Sequence, residues 1–164
     1  MLYRLYSVHD FPSLYAIEEL CFQPPFRFSR QYMRQLVSRS NATTWIAEQD
    51  GQMCGFAIVE RTQEPGRVIG YIQTIEVLSG CRGLGVGGEM LRRVEDSARA
   101  SGAQSIWLHV DERNSSAIKL YAARGYLREG REEDYYGPYH AALIYAKLLG
   151  SEAGNELAAE ANRT

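Results

Sequence analysis

The chain has 164 residues, 45% of them hydrophobic and 23% charged, which fits one soluble globular domain with enough length for a real core. A formal net charge of −2 gives no electrostatic case for nucleic acid or an anionic membrane as partner. No apolar run reaches the roughly 20 residues that span a bilayer, and Met1 to Asp10 lacks the apolar core of a signal peptide. Cys21, Cys54 and Cys81 are odd in number, widely spaced and without a CxxC pair. They read as free thiols in a reducing compartment, the cytoplasm, with neither a disulfide framework nor a metal site.

Leu2 to Tyr6 reads as a short strand. Asp10 is placed to cap a helix running to about Cys21, with Leu14, Ile17, Glu18 and Cys21 on related turns. Gln23-Pro24-Pro25 breaks that helix, and Ser29 caps a second one through about Val37. Thr43 to Glu48 and Met53 to Arg61 look like strands. Asp50-Gly51 between them is a strong hairpin signal, because both central residues of a type I′ turn need positive φ. Pro65-Gly66 turns the chain into a third strand, Arg67 to Leu78. A helix from about Gly87 to Ser101 carries Met90, Leu91, Val94 and Ala98 as its apolar stripe, and Gly102 suits its end. Ser105 to Val110 is a further long strand. Asn114 or Ser115 caps a helix that Gly125 ends, and Tyr126 to Tyr136 and Tyr139 to Leu148 form a closing strand pair. One domain over residues 1–149 is expected, with 150–164 a polar tail that is poorly ordered. The element order argues for an α+β (mixed α/β) sheet with one parallel connection in the middle.

The most informative segment is Arg82-Gly83-Leu84-Gly85-Val86-Gly87-Gly88, set between a strand and a helix. The first turn of a helix leaves backbone N–H groups unpaired, and glycines let the main chain approach a ligand without a Cβ in the way. With Arg82 beside it, this is an anion site suited to a pyrophosphate. Gly83, Gly85 and Gly88 also satisfy GxGxxG, with Asp111 where a ribose-binding acid would fall. The dinucleotide reading needs several more βα units, and only one helix and a strand pair follow Asp111. A plain flexible turn is the third reading.

Arg82-x-x-Gly85-x-Gly87 resembles the Q/R-x-x-G-x-G/A signature of the Gcn5-related N-acetyltransferases. Asn114-Ser115-Ser116-Ala117-Ile118-Lys119-Leu120-Tyr121-Ala122-Ala123-Arg124-Gly125-Tyr126 resembles that family's N-x-x-A-I-x-L-Y-x-x-x-G-F/Y segment. The resemblance covers about Leu2 to Leu148. It implies a mostly antiparallel seven-stranded sheet with a splayed parallel pair, about four flanking helices, and acetyl-CoA as co-substrate without a metal. Within the superfamily the chain looks closest to protein N-terminal acetyltransferases, of the ribosomal-protein-alanine and Met-start types. Ile17-Glu18-Glu19-Leu20-Cys21-Phe22 with Pro25-Phe26 is similar to their first helix and peptide-binding loop. Tyr71-Ile72-Gln73-Thr74-Ile75 and Trp107-Leu108-His109-Val110 are similar to the strands carrying a catalytic tyrosine and histidine in the Met-start type. Tyr135-Tyr136 resembles a pair around the substrate N-terminus, whereas His140-Ala141 departs from the Asp-Ala that usually follows.

What the resemblance implies about roles is as follows. Ile75, Val77, residues Arg82, Gly83, Leu84, Gly85, Val86, Gly87 and Gly88, and Asn114, Ala117 and Tyr121 bind the cofactor. A bulge near Val77 exposes an amide that holds the thioester oxygen. Pro25, Phe26, Tyr71, Gln73, His109, Tyr135, Tyr136 and Tyr139 line the acceptor site. Tyr71 and His109 take the proton from the amine, and Tyr121 returns one to the leaving thiolate. Strand alternation puts Tyr71, Gln73 and Ile75 on one face, and Trp107, His109 and Asp111 on one face of the next strand. The plain rivals are a core histidine at 109 and packing tyrosines at 71 and 121. Glu76 reads as a rim or hydrogen-bonding group rather than the base. A small-molecule amine, a lysine side chain or a non-catalytic CoA-binding module are the competing readings of the whole chain.

Overall fold

In the computed structural model, which describes residues 1–150, β1 (Leu2–Leu5) is followed by α1 (Phe11–Cys21) and α2 (Arg30–Ser38). Then come β2 (Ala42–Gln49), β3 (Gln52–Glu64) and β4 (Arg67–Val77). α3 (Val86–Ala100), β5 (Ala103–Asp111), α4 (Ser115–Ala123), β6 (Leu127–Gly137) and β7 (His140–Leu148) complete the fold. The strands form one seven-stranded sheet in the order β1-β2-β3-β4-β5-β7-β6. Only the β4–β5 pair is parallel, as expected where α3 carries the chain back across the sheet. The expectation for the tail beyond Gly150 lies outside the described residues.

Local chemistry explains most of the element boundaries. Asp50 (φ 52°) and Gly51 (φ 75°) both adopt the left-handed conformation that the two-residue β2–β3 turn requires. Ser29 Oγ accepts the Tyr32 amide at 3.1 Å and starts α2; Asn114 Oδ1 accepts the Ala117 amide at 3.2 Å and starts α4. Asp10 does not cap α1. A short 3-10 turn, Val8–Asp10, has already bent the chain there, so Asp10 has helical φ and ψ. Its carboxylate instead accepts the Ser7 amide at 2.7 Å and pairs with Arg4, whose guanidinium holds the Asp10 carboxyl below the usual carboxylate range.

Each face of the sheet buries its own layer. α3 and α4 cover Val59, Ile72, Ile106 and Leu108 with Met90, Leu91, Val94 and Tyr121. α1 and α2 cover Ile46, Phe56 and Ile58 with Phe11, Leu14, Ile17, Met33 and Leu36. Buried Glu95 of α3 accepts the Tyr126 hydroxyl at 3.0 Å and meets Lys147 of β7 at 3.1 Å, tying α3 to the far half of the sheet.

The feature that makes a site is where β4 and β5 part. Their ladder runs from Val68↔Ala103 to Ile72↔Leu108, while β4 continues to Val77 and β5 to Asp111 without partners between them. The sheet irregularity on β4 falls at Gln73, not near Val77. Ile58 opposes Thr74 but Val59 opposes Ile72, so Gln73 is the extra residue, and Val77 lies in register with Gly55. One inserted residue reverses side-chain alternation downstream. Tyr71 therefore faces α1 and α2, while Ile75 and Val77 pack on the α3 side, so the expected shared face of Tyr71, Gln73 and Ile75 does not hold. The Leu78 amide donates to the Cys54 carbonyl at 2.8 Å. By the alternation of an antiparallel ladder, the amides of Ile75 and Val77 then turn away from β3 toward the cleft.

Gly55 lets β3 approach β4 behind this cleft: a Cβ there would lie 2.5 Å from the Glu76 carbonyl oxygen and 3.2 Å from Met90 Cε. Gly55→Ala is expected to cost about 1–3 kcal/mol, read as a lower urea midpoint at unchanged m value. An unchanged midpoint would show that the strand pair yields freely.

Candidate active site

The parting of β4 and β5 opens two joined cavities. One, about 450 Å³, lies on the α1–α2 side and is walled by the loop after α1 (Phe22, Pro25, Phe26, Arg27, Phe28), by Tyr32, and by Tyr71, Gln73, His109, Tyr135 and Tyr136. The other, about 520 Å³, runs from β4 to the glycine loop and α4. Phe22, Ile75, Asn114, Ala117 and Tyr121 line both, so they mark the junction.

His109 is the centre of the first cavity. Its Nδ1 is 2.8 Å from the Tyr71 hydroxyl and its Nε2 is 2.8 Å from Glu132 Oε2. A carboxylate only accepts, so in the neutral ring Nε2 carries the hydrogen. The lone pair of Nδ1 then accepts the Tyr71 O–H. The Tyr135 ring stacks flat on His109, with centroids 4.0 Å apart and planes 9° apart. Trp107 backs both partners, 4.7 Å from Tyr71 and 5.1 Å from His109 between centroids. Burial, and then the Tyr135 hydroxyl 3.4 Å away, push the Tyr71 phenol up, well above a tyrosine's usual value. A free tyrosinate is therefore disfavoured, and Tyr71 can accept a proton only as it passes its own to His109.

The second cavity has the features of a phosphate and thioester slot. Gly83 (φ 78°) and Gly85 (φ 79°) take conformations open to glycine, and nothing lies within 4 Å of either missing Cβ. The Glu89 amide donates to the Gly85 carbonyl at 3.0 Å, which leaves the amides of Val86, Gly87 and Gly88 as the unpaired first turn of α3. Arg82 lines the slot, but its Nε donates to the Val77 carbonyl at 3.0 Å, so its charge lies across the slot rather than beside the loop. A Cβ on Gly88 would collide with the guanidinium of Arg124, which brings a second cation to the helix start. The slot fits the diphosphate and pantetheine of a CoA thioester: open glycines, free amides and Arg124 at one end, Arg82 and the outward amides of Ile75 and Val77 at the other.

Most of the expected residues converge. Tyr71 and His109 meet, and Tyr121 stands at the junction with its hydroxyl in no hydrogen bond among the described residues, held protonated by burial. Pro25, Phe26, Tyr135 and Tyr136 line the first cavity, with Phe26 and Tyr136 5.0 Å apart between centroids. Asn114 and Ala117 line both cavities, although the Asn114 side chain is occupied in capping α4. Gln73 reaches the cleft floor but commits its amide to Glu60 at 2.8 Å. Leu84 is exposed and outside the slot's wall, so only its backbone is near. Tyr139 is a correction: 87% exposed at the tip of the β6–β7 turn, it lies outside the cavity. The reason is a wide bulge, since β6 spends five steps from Glu132 to Gly137 where β7 spends two from Ala142 to His140. That bulge swings Tyr135 and Tyr136 inward and leaves Tyr139 beyond them. Phe22 was expected only as part of the segment leading into the peptide-binding loop, and Tyr32 and Glu132 were not anticipated. Glu132 sits two strands from His109 and reaches it across β7, a contact no local pattern announces.

Comparison with known proteins agrees with this geometry. The model of the acetyltransferase (GNAT) family matches residues 11–126. Streptothricin acetyltransferase of Streptomyces lavendulae is 37% identical over 87 residues, covering 53% of this chain and 45% of that protein. Mycothiol acetyltransferase of Frankia casuarinae is 30% identical over 115 residues, covering 61% of this chain and 33% of that one. The chain thus spans less than half the length of these curated relatives. The ribosomal-protein-S18-alanine N-acetyltransferase of Escherichia coli superposes with a TM-score of 0.80, covering 91% of this chain and 94% of that one. Its sequence identity of 22% limits that likeness to the fold.

The Glu132 contact makes a prediction about His109 alone. Long-range ¹H–¹⁵N spectra of the neutral ring should show a protonated Nε2 and a bare Nδ1, and Glu132→Ala should mix the two tautomers. A wild-type ring protonated at Nδ1 would contradict the arrangement.

Proposed function

The chain belongs to the acetyltransferase (GNAT) family, and from that premise we propose that it transfers acetyl from acetyl-CoA to the N-terminal α-amine of a protein or peptide. The observation that carries the reading is the junction. A slot suited to a CoA thioester meets, at Ile75 and Tyr121, a separate aromatic cavity that holds a proton acceptor.

The amine must attack as the neutral base. An α-amine has a pKa near 8, against about 10.4 for lysine, so it gives up its proton at little cost near neutrality. Its N–H donates to the Tyr71 oxygen as the Tyr71 O–H passes its proton to His109 Nδ1, and the imidazolium so formed is balanced by Glu132. When bound, acetyl-CoA supplies the acetyl thioester that the amine attacks. The amides of Ile75 and Val77 point to where oxyanion charge develops, and losing one such donor typically costs about 3–4 kcal/mol of barrier. The Tyr121 hydroxyl, protonated and in no hydrogen bond among the described residues, is the donor for the leaving sulfur and regains a proton from solvent as the thiol departs. No cysteine nucleophile is needed, since attack is direct.

The loop 22–28 and Tyr135–Tyr136 wall an aromatic cavity of about 450 Å³ beside His109, which supports the α-amine reading. A small cationic amine is the second reading, favoured by the 37% identity to a streptothricin acetyltransferase.

Acetyl-CoA should raise the melting temperature and NAD should not; the reverse would favour a dinucleotide site. His109→Ala and Tyr71→Phe should each lower kcat by about 10²- to 10⁴-fold while acetyl-CoA affinity stays nearly constant. Unchanged rates would remove the relay. A panel of peptides varied at the first two residues, set against streptothricin-like and polyamine acceptors, decides the substrate class: preference for a peptide upholds the α-amine reading, and preference for a small amine replaces it.

A further inference from the structure

Two carboxyl side chains lie outside the relay and outside any salt bridge among the described residues, in the wall that α1 and β4 build together. Glu18 of α1 is 0% exposed and Glu76 of β4 is 2% exposed. Glu18 Oε1 accepts the Phe28 amide at 2.7 Å, and Glu76 Oε1 accepts the Thr74 hydroxyl at 2.9 Å. The remaining oxygen of each, Oε2, is buried with no hydrogen-bond partner among the described residues. α1 meets β4 here, with the Cys21 thiol donating to the Val77 carbonyl at 3.8 Å, and Glu18 is the group that, after burial, bears most on Glu76. Two facing carboxylates in an apolar layer would repel and leave both oxygens orphaned. A single proton between them answers both oxygens at once, one carboxyl donating its O–H and the other accepting.

The surroundings leave that proton in place. α1 also presents the half-buried Cys21 thiol, raised by burial and backed by Arg82; β3 presents Phe56 and Ile58, and α2 presents Met33 and Leu36. Burial first, and the neighbouring Glu18 second, hold Glu76 well above the usual carboxylate range.

We propose that Glu18 and Glu76 are positioning residues, a proton-sharing clamp that holds the acceptor wall against the cofactor strand. Glu18 fixes the Phe28 amide, and with it the loop carrying Phe22, Pro25 and Phe26. Glu76 stands between Ile75 and Val77, whose amides face the cleft. Loss of the shared proton sets two negative charges face to face and pushes α1 off β4, so the acceptor wall loosens on the alkaline side. The link to acetyl transfer rests on the function proposed above; the shared proton does not.

The folded state keeps this proton to higher pH than the unfolded chain, whose glutamates release it near 4.5. The stabilisation is therefore full at low pH and is lost as pH rises through the folded value. Glu76→Gln leaves a permanent N–H donor facing Glu18 and removes that loss. The test uses the full chain. Infrared spectra at neutral pH should show a protonated-carboxyl band in the wild type that is absent in Glu76→Gln and in Glu18→Gln. The melting temperature of Glu76→Gln relative to wild type should climb by on the order of 2–4 °C as pH rises through the folded value. The ratio of wild-type KM to Glu76→Gln KM for the same acceptor should rise with pH. A wild type without the band, or a melting difference constant with pH, overturns the clamp. Should Glu76→Gln not fold, the wild-type band and Glu18→Gln carry the same decision. A protein that keeps the band and the pH-dependent melting but acetylates no amine overturns the functional reading and leaves the clamp standing.

Discussion

Every functional contact depends on one constraint: the β4–β5 ladder ends at Ile72–Leu108. The strand that leaves it carries an extra residue at the next position, Gln73. A bulge bends its strand and raises the local twist, so the slip and the parting fall where they reinforce each other. The slip also reverses side-chain alternation. Tyr71 before it is delivered to the α1–α2 side, Ile75 and Val77 after it to the α3 side, and the amides of the latter two are freed from β3. A single insertion thus builds both sides of the cleft from one strand.

Burial decides how the acid–base chemistry is divided. Tyr71 is too desolvated to hold a negative charge, so by itself it is a poor proton acceptor. In the proposed transfer its oxygen, joined to His109 at 2.8 Å, is one end of a relay in which no tyrosinate forms. Glu132 sets which ring nitrogen bears hydrogen and balances the charge when the ring gains a second. Glu132 is half exposed, so this contact is worth more as orientation than as Coulomb energy. The Tyr135 face holds the ring in plane against it. Tyr121 differs: burial, with no charged partner among the described residues, keeps its hydroxyl protonated at the junction.

Features with a local cause were legible in the sequence. Asp50-Gly51 made its turn because two successive residues could take positive φ, Ser29 and Asn114 capped their helices, and the glycine loop gave an open helix start. Tyr71 and His109 were each readable as members of facing strands. What stayed hidden depends on register or on distant partners. In the run Tyr71-Ile72-Gln73-Thr74-Ile75-Glu76-Val77 the consecutive polar pair Gln73-Thr74 interrupts the apolar alternation, but only the pairing with β3 identifies Gln73 as the extra residue. Asp10 looked like a cap, but a preceding 3-10 turn and Arg4 claimed it. Glu132 lies in Arg131-Glu132-Glu133-Asp134, which by composition is a solvated face, and its role comes from a partner two strands away. Tyr139 was grouped with Tyr135 and Tyr136 by proximity in the chain, which the β6 bulge breaks.

The central claim is that the cleft left by β4 and β5 takes a CoA thioester along the freed amides of β4, with its diphosphate on the first turn of α3. The most direct measurement is a ¹H–¹⁵N amide titration of the full chain with acetyl-CoA. The account predicts saturable shifts concentrated at Ile75, Val77, Val86, Gly87 and Gly88, with β1 and the β2–β3 turn unmoved. Saturable shifts elsewhere, with those five amides unchanged, would contradict it.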